Sequence, residues 1–448
     1  MGTVRLVSII GLGFGDCGKG LFTDYFCRRW NAHTVVRFNG GAQAGHNVVL
    51  PDGRSHTFSQ FGAGTFVPGT ATLLAYPVIV HPTALLVEDG YLRRAGVEDA
   101  LARLLIDARC RVTSPFHQAA GRMRELERGA QAHGSCGVGV GETAHHALLH
   151  PEQAITYREL ADPALAMEKL ALIRATLLAG FNPICAVRAN QLAYDAERRV
   201  LLDAEVPRRW LGQLQSLIRR VPPASREAVA ERLHLPGTVL FEGAQGVLLD
   251  EWRGFHPHTT WSSIAPASVE AVALDAGQHT KIDHFGALRT YMTRHGAGPL
   301  PTHDVRLDHL LEPHNGSDGW QGRFRRGHPD VLLLRYALAV AAPLDGLLVS
   351  HLDVFERERG LKWCVAYDVP EPGGHALIGG LVQGVRGDLE HQAKLAQLLA
   401  NARPRYAPYA TAGAFQFLSE LEALARLPVL FGSRGPTHQA VTPFGAAP

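Results

Sequence analysis

Near the N-terminus an apolar run, Arg5 to Ile10, breaks into Gly11-Leu12-Gly13-Phe14-Gly15-Asp16-Cys17-Gly18-Lys19-Gly20. A short β-branched run that ends at glycine reads as a buried strand, and Leu21, Phe22, Tyr25 and Phe26 then recur at helical spacing. Strand, glycine turn and helix in that order make an anion cradle, because a helix start presents free backbone N–H groups. Two templates fit the turn. Gly13, Gly15 and Gly18 satisfy the dinucleotide pattern G-x-G-x-x-G, while Gly13, Gly18 and Lys19 satisfy the P-loop pattern G-x-x-x-x-G-K. The first calls for an acid roughly 20 residues further on to hold a ribose hydroxyl. The chain has Val35-Val36-Arg37-Phe38-Asn39-Gly40 there, where Arg37 could instead face a 2′-phosphate. The second calls for a Ser or Thr after the lysine to ligate Mg²⁺ and meets Gly20. A cation bridging phosphates still needs hard oxygen ligands, and Asp16 is the nearest.

The rest of the chain repeats the alternation. Strands are expected over Val35 to Phe38, Leu73 to Val80, Val239 to Glu242 and Gly346 to Ser350, with helices over Pro82 to Arg94, Ser225 to Leu233 and Val331 to Ala341. Strands alternating with helices predict an α/β fold with a mainly parallel central sheet covered by helices on both faces. Polar, glycine-rich loops follow several strand ends, where ligands bind in such sheets. Composition narrows the field of partners. At 448 residues the net charge is only +2, which argues for neither nucleic acid nor an anionic membrane as partner. Six scattered cysteines lack C-x-x-C spacing, so neither a zinc site nor a disulfide framework is indicated and a reduced, cytoplasmic compartment is the default. The start does not read as a signal peptide, and no run reaches the ~18 apolar residues of a membrane span.

Several motifs occur in one order: the glycine-aspartate loop, Gly40-Gly41-Ala42-Gln43-Ala44-Gly45-His46-Asn47, Phe241-Glu242-Gly243-Ala244-Gln245-Gly246-Val247-Leu248-Leu249-Asp250, Arg289-Thr290-Tyr291-Met292-Thr293-Arg294 and Gly322-Arg323-Phe324-Arg325-Arg326. Together they resemble the adenylosuccinate synthetase family over nearly the whole chain. That resemblance implies a P-loop-like GTP-binding architecture and one domain, 1–448, with subdomain insertions over approximately 95–235 that are mostly helical. It implies a Mg²⁺-dependent ligase, with GTP as co-substrate, that phosphorylates the 6-oxo group of inosine monophosphate and lets aspartate displace the phosphate, in a homodimer. Asp16 would take the N1 proton of the base and sit beside Mg²⁺, with the Gly45 carbonyl as a further ligand. His46 would steady the transferring phosphoryl group, where positive charge lowers the barrier. Lys19 and the N–H groups around Gly15, Gly18 and Gly20 would hold phosphate charge, and Gln245 would bond the base oxygen. Arg323 and Arg325 would grip the amino acid's carboxylate and the ribose, since planar forks suit paired carboxylate recognition. Asp353 would read guanine, with Ser433 and Gly435 in the loop closing over it.

The chain departs from the family pattern in its substrate pockets. Gln43 stands where the family has a phosphate-binding asparagine, and Cys136 where it has a threonine; Thr260 matches its counterpart. The region expected to send an arginine to this phosphate across a dimer reads Ala147-Leu148-Leu149-His150. The aspartate-closing Gly-Ala-Thr-Thr-Gly loop is Asp318-Gly319-Trp320-Gln321-Gly322, which puts Gln321 among the amino-acid contacts. Cys17 replaces a glutamate and His351 a lysine; an imidazole can still stack on a purine. Other readings of the same residues are a specialised ligase using a modified nucleotide, a nucleoside or another amino acid, a non-catalytic nucleotide-binding relative, and an NADP oxidoreductase.

Overall fold

Alternation along the first strand sets the architecture. In Val4–Gly11, Leu6 and Ile10 enter one core with Phe241, Val349 and Leu333, while Val7 and Ile9 enter another with Phe22, Phe26 and Phe285. A strand buried on both faces belongs at the centre of a parallel sheet with helices on either side. The structure, a computed structural model, describes residues 2–316 and 319–444.

Ten strands form the central sheet: β1 (Val4–Gly11), β2 (Thr34–Arg37), β3 (Ala71–Leu74), β4 (Leu104–Asp107), β5 (Pro223–Ala224), β6 (Gly237–Gly246), β7 (Ile282–Arg289), β8 (Gly346–Ser350), β9 (Val429–Ser433) and β10 (Val441–Pro443). Their order is β10-β9-β8-β7-β1-β6-β2-β3-β4-β5. All neighbours run parallel except β10, which is antiparallel to β9. β1 thus lies between two strands formed far later in the chain, and the order reverses around it. The carboxyl ends of β1, β2 and β6 meet at this switch point, where open α/β sheets place their ligands.

The expected strands and helices are present with small shifts at their ends, with one correction. Leu73 to Val80 is not one strand: β3 ends at Leu74, and Ile79–Val80 is a separate short strand beyond the turn at Tyr76-Pro77. Pro77 has no N–H to give a ladder, which explains the break. Helices Pro115–Arg128, Pro163–Ala179, Gln191–Leu202 and Val206–Arg220 pack with Pro82–Arg94 around a further core that includes Phe116, Met123, Tyr157, Tyr194 and Trp210. No helix among the described residues is long and apolar enough to cross a membrane.

The helix after β1, α1 (Lys19–Arg29), is anchored by aromatic packing. The Phe26 ring lies parallel to Trp30 at 4.2 Å and edge-on to Phe431 at 5.1 Å, tying α1 to β9. Phe26→Ala should cost about 3–5 kcal/mol of stability, as for other buried aromatic truncations. Chemical denaturation reads this, and a loss under about 1 kcal/mol would show that α1 is not held by this stack.

Candidate active site

The glycine turn closes onto α1 as an uncapped helix start. Gly18 sits at the N-cap in the left-handed region with φ 81°, and no side chain caps the first N–H groups. Those donors are left for a bound anion. Lys19 is buried and donates from Nζ to the Gly15 carbonyl at 2.6 Å; burial pushes its pKa down, against the pull of Cys17 and Asp16. Gly20, where a P-loop has a hydroxyl, has no room for one: a Cβ there would meet the Asn47 carbonyl at 2.9 Å and His46 Cβ at 3.0 Å. The first turn of α1 is therefore pressed against the loop that carries His46.

His46 opens a short strand, His46–Val49, and is clamped on both sides. Its Nδ1 lies 2.7 Å from Glu242 Oε1 and its Nε2 lies 3.2 Å from the Ala244 carbonyl. Glu242 is fully buried on β6 and also accepts from the Ala63 N–H at 3.0 Å. Burial alone would raise the Glu242 pKa, but His46 at its oxygen, with Arg37 nearby, holds it down at about 2. An ionised carboxylate at Nδ1 fixes the ring's orientation and keeps a proton on that nitrogen, which is the orienting role of an acid beside a catalytic histidine. Burial pulls the His46 pKa down and Glu242 opposes it. Glu242 was not singled out from sequence, although a lone carboxylate inside an otherwise apolar strand was a usable signal.

Asp16 projects from the turn into a charged neighbourhood. Its Oδ2 is buried without a hydrogen-bond partner, 3.9 Å from Arg289 Nη2 and 3.8 Å from His295 Nε2. Arg289 is bonded to Glu312, which also accepts from the Tyr291 hydroxyl at 2.5 Å. Burial would raise Glu312, yet Arg289, His351 and Tyr291 hold it at about 2. Arg289 is thus neutralised from its far side and acts on Asp16 as a partly satisfied cation. His295, also bonded to Asn315 Oδ1 at 3.1 Å, is a second neighbour that sequence spacing could not reveal.

Gln245 ends β6, where its Oε1 accepts from Asn39 Nδ2 at 3.2 Å and its Nε2 donates to the Ser262 carbonyl at 2.8 Å. The amide is held by both ends and keeps one N–H free. Gln43 lies beside it with neither end of its own amide partnered. Cys136 donates from Sγ to the Gln43 carbonyl at 3.7 Å and accepts from Gln321 Nε2 at 3.0 Å, so the two sequence departures touch one another. Thr260 donates to the Leu249 carbonyl. Of the arginines, Arg325 is turned inward, with Nη2 on the Gly296 and Gly298 carbonyls at 2.6 and 2.8 Å and Nε unpartnered. Arg323 is mostly exposed and paired with Asp308 at 2.7 Å, closer to a solvated basic residue than Arg325 is. Asp318 lies outside the described residues.

The residues expected to read the donor base cluster separately, beyond β8 and β9, which are adjacent in the sheet. His351 follows β8 with φ 63° and is half-buried; the loss of water around its ring, with Arg289 nearby, pushes its pKa down to about 3. It is therefore a neutral ring. Asp353 is paired with Arg357 at 2.6 Å, and Ser433 donates to the Gly435 carbonyl at 2.5 Å. Gly18 joins the two regions, since a Cβ there would meet Ser350 Oγ at 2.7 Å. Gly45 is exposed at the edge of the His46 loop.

Comparison with known proteins identifies the family. The family model described as adenylosuccinate synthetase matches residues 8–408. This chain belongs to the adenylosuccinate synthetase family. It is thereby a carbon–nitrogen ligase by family, and the glycine turn is not a dinucleotide fingerprint. The adenylosuccinate synthetase of Mycolicibacterium vanbaalenii is 34% identical over 81% of this chain and 80% of its own length, and that of Trichormus variabilis is 31% identical over 81% and 77%. In fold, the fully ligated adenylosuccinate synthetase from Plasmodium falciparum superposes with a TM-score of 0.79 at 20% identity, covering 98% of this chain and 100% of that one. A cyanophage S-2L succinoaminodeoxyadenylate synthetase, bound to dGMP and dATP, gives a TM-score of 0.58 at 17% identity over 98% and 96%.

If Glu242 orients His46, Glu242→Gln should lower kcat about 10²-fold or more while leaving GTP binding near its original strength. Steady-state kinetics and nucleotide titration check this; a kcat within about threefold of the parent would assign Glu242 to packing alone.

Proposed function

We propose that this chain is a GTP-dependent ligase that phosphorylates the 6-oxo group of inosine monophosphate and couples L-aspartate to it, giving adenylosuccinate, GDP and phosphate. The observation that carries the reading is the buried Oδ2 of Asp16, free of hydrogen bonds in a phosphate turn, in a site that also holds a histidine locked by a buried acid. A protein that only binds nucleotide has no use for either group.

In this reading Asp16 accepts the N1 proton of the base, so that electron density shifts to the 6-oxygen, which attacks the γ-phosphorus of GTP. Gln245 directs its free N–H at that oxygen and fixes its angle, supported by its bonds to Asn39 and Ser262. Lys19 and the uncapped N–H groups of α1 hold the donor's phosphates. His46, with Nδ1 tied to Glu242, exchanges the Nε2 contact with the Ala244 carbonyl for one with the transferring group and stabilises its charge. The aspartate amine then attacks C6 and the phosphate leaves with the C6–O bond. Arg325, with its free buried Nε, and Arg323 receive the carboxylates of the amino acid. Asp353, His351, Ser433 and Gly435 receive the donor base. Asp16 Oδ2 is the kind of hard oxygen a divalent cation takes, so Asp16 and the Gly45 carbonyl would hold Mg²⁺. When bound, the ion neutralises phosphate charge. The same reading carries a cytoplasmic homodimer, and the exposed Leu148 and Leu149 are apolar surface available to a second copy.

Incubation with GTP, Mg²⁺, inosine monophosphate and L-aspartate should release phosphate and form adenylosuccinate, both followed by chromatography. Asp16→Asn should lower turnover at least about 10²-fold, the usual scale for losing a general base. Turnover retained in that variant would remove Asp16 from the proton transfer.

A further inference from the structure

The two basic side chains that flank the Asp16 oxygen are both tied back to one acid, Glu312. Its Oε1 accepts from Arg289 Nη1 and from the Tyr291 hydroxyl, the latter at 2.5 Å. Its Oε2 accepts from Asn315 Nδ2 at 3.3 Å, and Asn315 Oδ1 in turn lies 3.1 Å from His295 Nε2. Arg289 and His295 are the groups whose nitrogens stand 3.9 and 3.8 Å from Asp16 Oδ2. The hub lies below the surface. The Glu312 and Arg289 side chains are only 7% and 8% exposed, so the arrangement is built within one chain and asks nothing of a second copy.

Arg289 has both room and reason to move. A cavity of about 30 Å³ whose lining includes Asp16, Arg289, Tyr291, Met292 and Thr293 opens beside both charged groups. The gap from Arg289 Nη2 to Asp16 Oδ2 exceeds hydrogen-bond distance by about 1 Å, a shift that a small change of side-chain torsion supplies. Arg289 Nε is buried without a partner, so the guanidinium gives up no bond there by turning. Among the described residues Arg289 pairs with two carboxylates, Glu312 and Asp16. A buried guanidinium needs a carboxylate, and with the Glu312 charge gone the one left within reach is Asp16. An N–H of Arg289 on Oδ2 would then occupy the atom that the ligase reading leaves open for the base proton.

We infer that Glu312 is a positioning residue: it holds Arg289 directly, and His295 through Asn315, off Asp16 Oδ2, and so keeps that oxygen free for the acceptor. This rests on the ligase reading above and adds to it a residue that acts only through others. The test compares the parent, Glu312→Gln and the double variant Arg289→Met with Glu312→Gln, using saturating GTP, Mg²⁺, inosine monophosphate and aspartate. Rates are expressed per GTP-binding site, so that unfolded protein does not count. Glu312→Gln keeps the shape and drops the charge. Its kcat should fall at least about tenfold, the scale on which a charged hydrogen bond favours the closed pair over the open one, while its Kd for GTP stays within about threefold of the parent's. Removing Arg289 as well removes the group that closes. The double variant should therefore turn over at least about fivefold faster than Glu312→Gln, where two merely structural losses would compound. If Glu312→Gln yields no GTP-binding sites, Glu312→Asp, which keeps the buried charge but reaches one carbon less, carries the same expected loss and the same rescue. A kcat for the Glu312 variant within about threefold of the parent would overturn the inference, as would a double variant no faster than the single one. An inactive parent would instead sink the ligase reading, and the inference with it.

Discussion

The buried contact between Glu242 and His46 joins three pieces of chain that meet only at the switch point of the sheet. Glu242 comes from β6, His46 from the loop after β2, and the Ala63 N–H that shares the carboxylate from a third segment. A charge in so apolar a place is tolerable only when it is fully bonded, and removing any partner leaves a buried group unsatisfied. The close seat of α1 on the His46 loop at Gly20 depends on that loop staying where Glu242 puts it. Phosphate turn and histidine are therefore registered against each other by one carboxylate that touches neither ligand in the proposed reaction.

Around Asp16 the same principle works at longer range. Arg289 and His295 stand just under 4 Å from its oxygen, close enough to bias it and too far to bind it. Glu312 and Tyr291 hold Arg289 from behind. The spacing leaves the oxygen available while its position is still set electrostatically.

Much of this was legible in the residues. The strand-turn-helix opening, the parallel sheet and the placement of Asp16, Lys19, His46 and Gln245 at strand ends follow from hydrophobic period and glycine position, and the order of motifs pointed to the family. What was not legible came from contacts across the sheet. Glu242 looked like one residue of a motif, and nothing in linear spacing places His295 beside Asp16. The division of Leu73 to Val80 turned on one proline that periodicity passes over. The departures at Cys136 and at Trp320-Gln321 looked independent; in the fold they are neighbours, since loops 185 residues apart in sequence meet in one hydrogen bond.

The position of β1 has a consequence for how the molecule comes into being. Its ladder partners are residues 237–246 on one side and 282–289 on the other, and the buried bond between Ser8 and His284 spans 276 residues. Such non-local pairing makes for slow folding, since loop closure must precede the contacts that reward it. During synthesis β1 and its phosphate turn have neither ladder partner until residues 237–246 and then 282–289 follow. Nucleotide binding therefore depends on strands that lie far downstream of its signature in the chain.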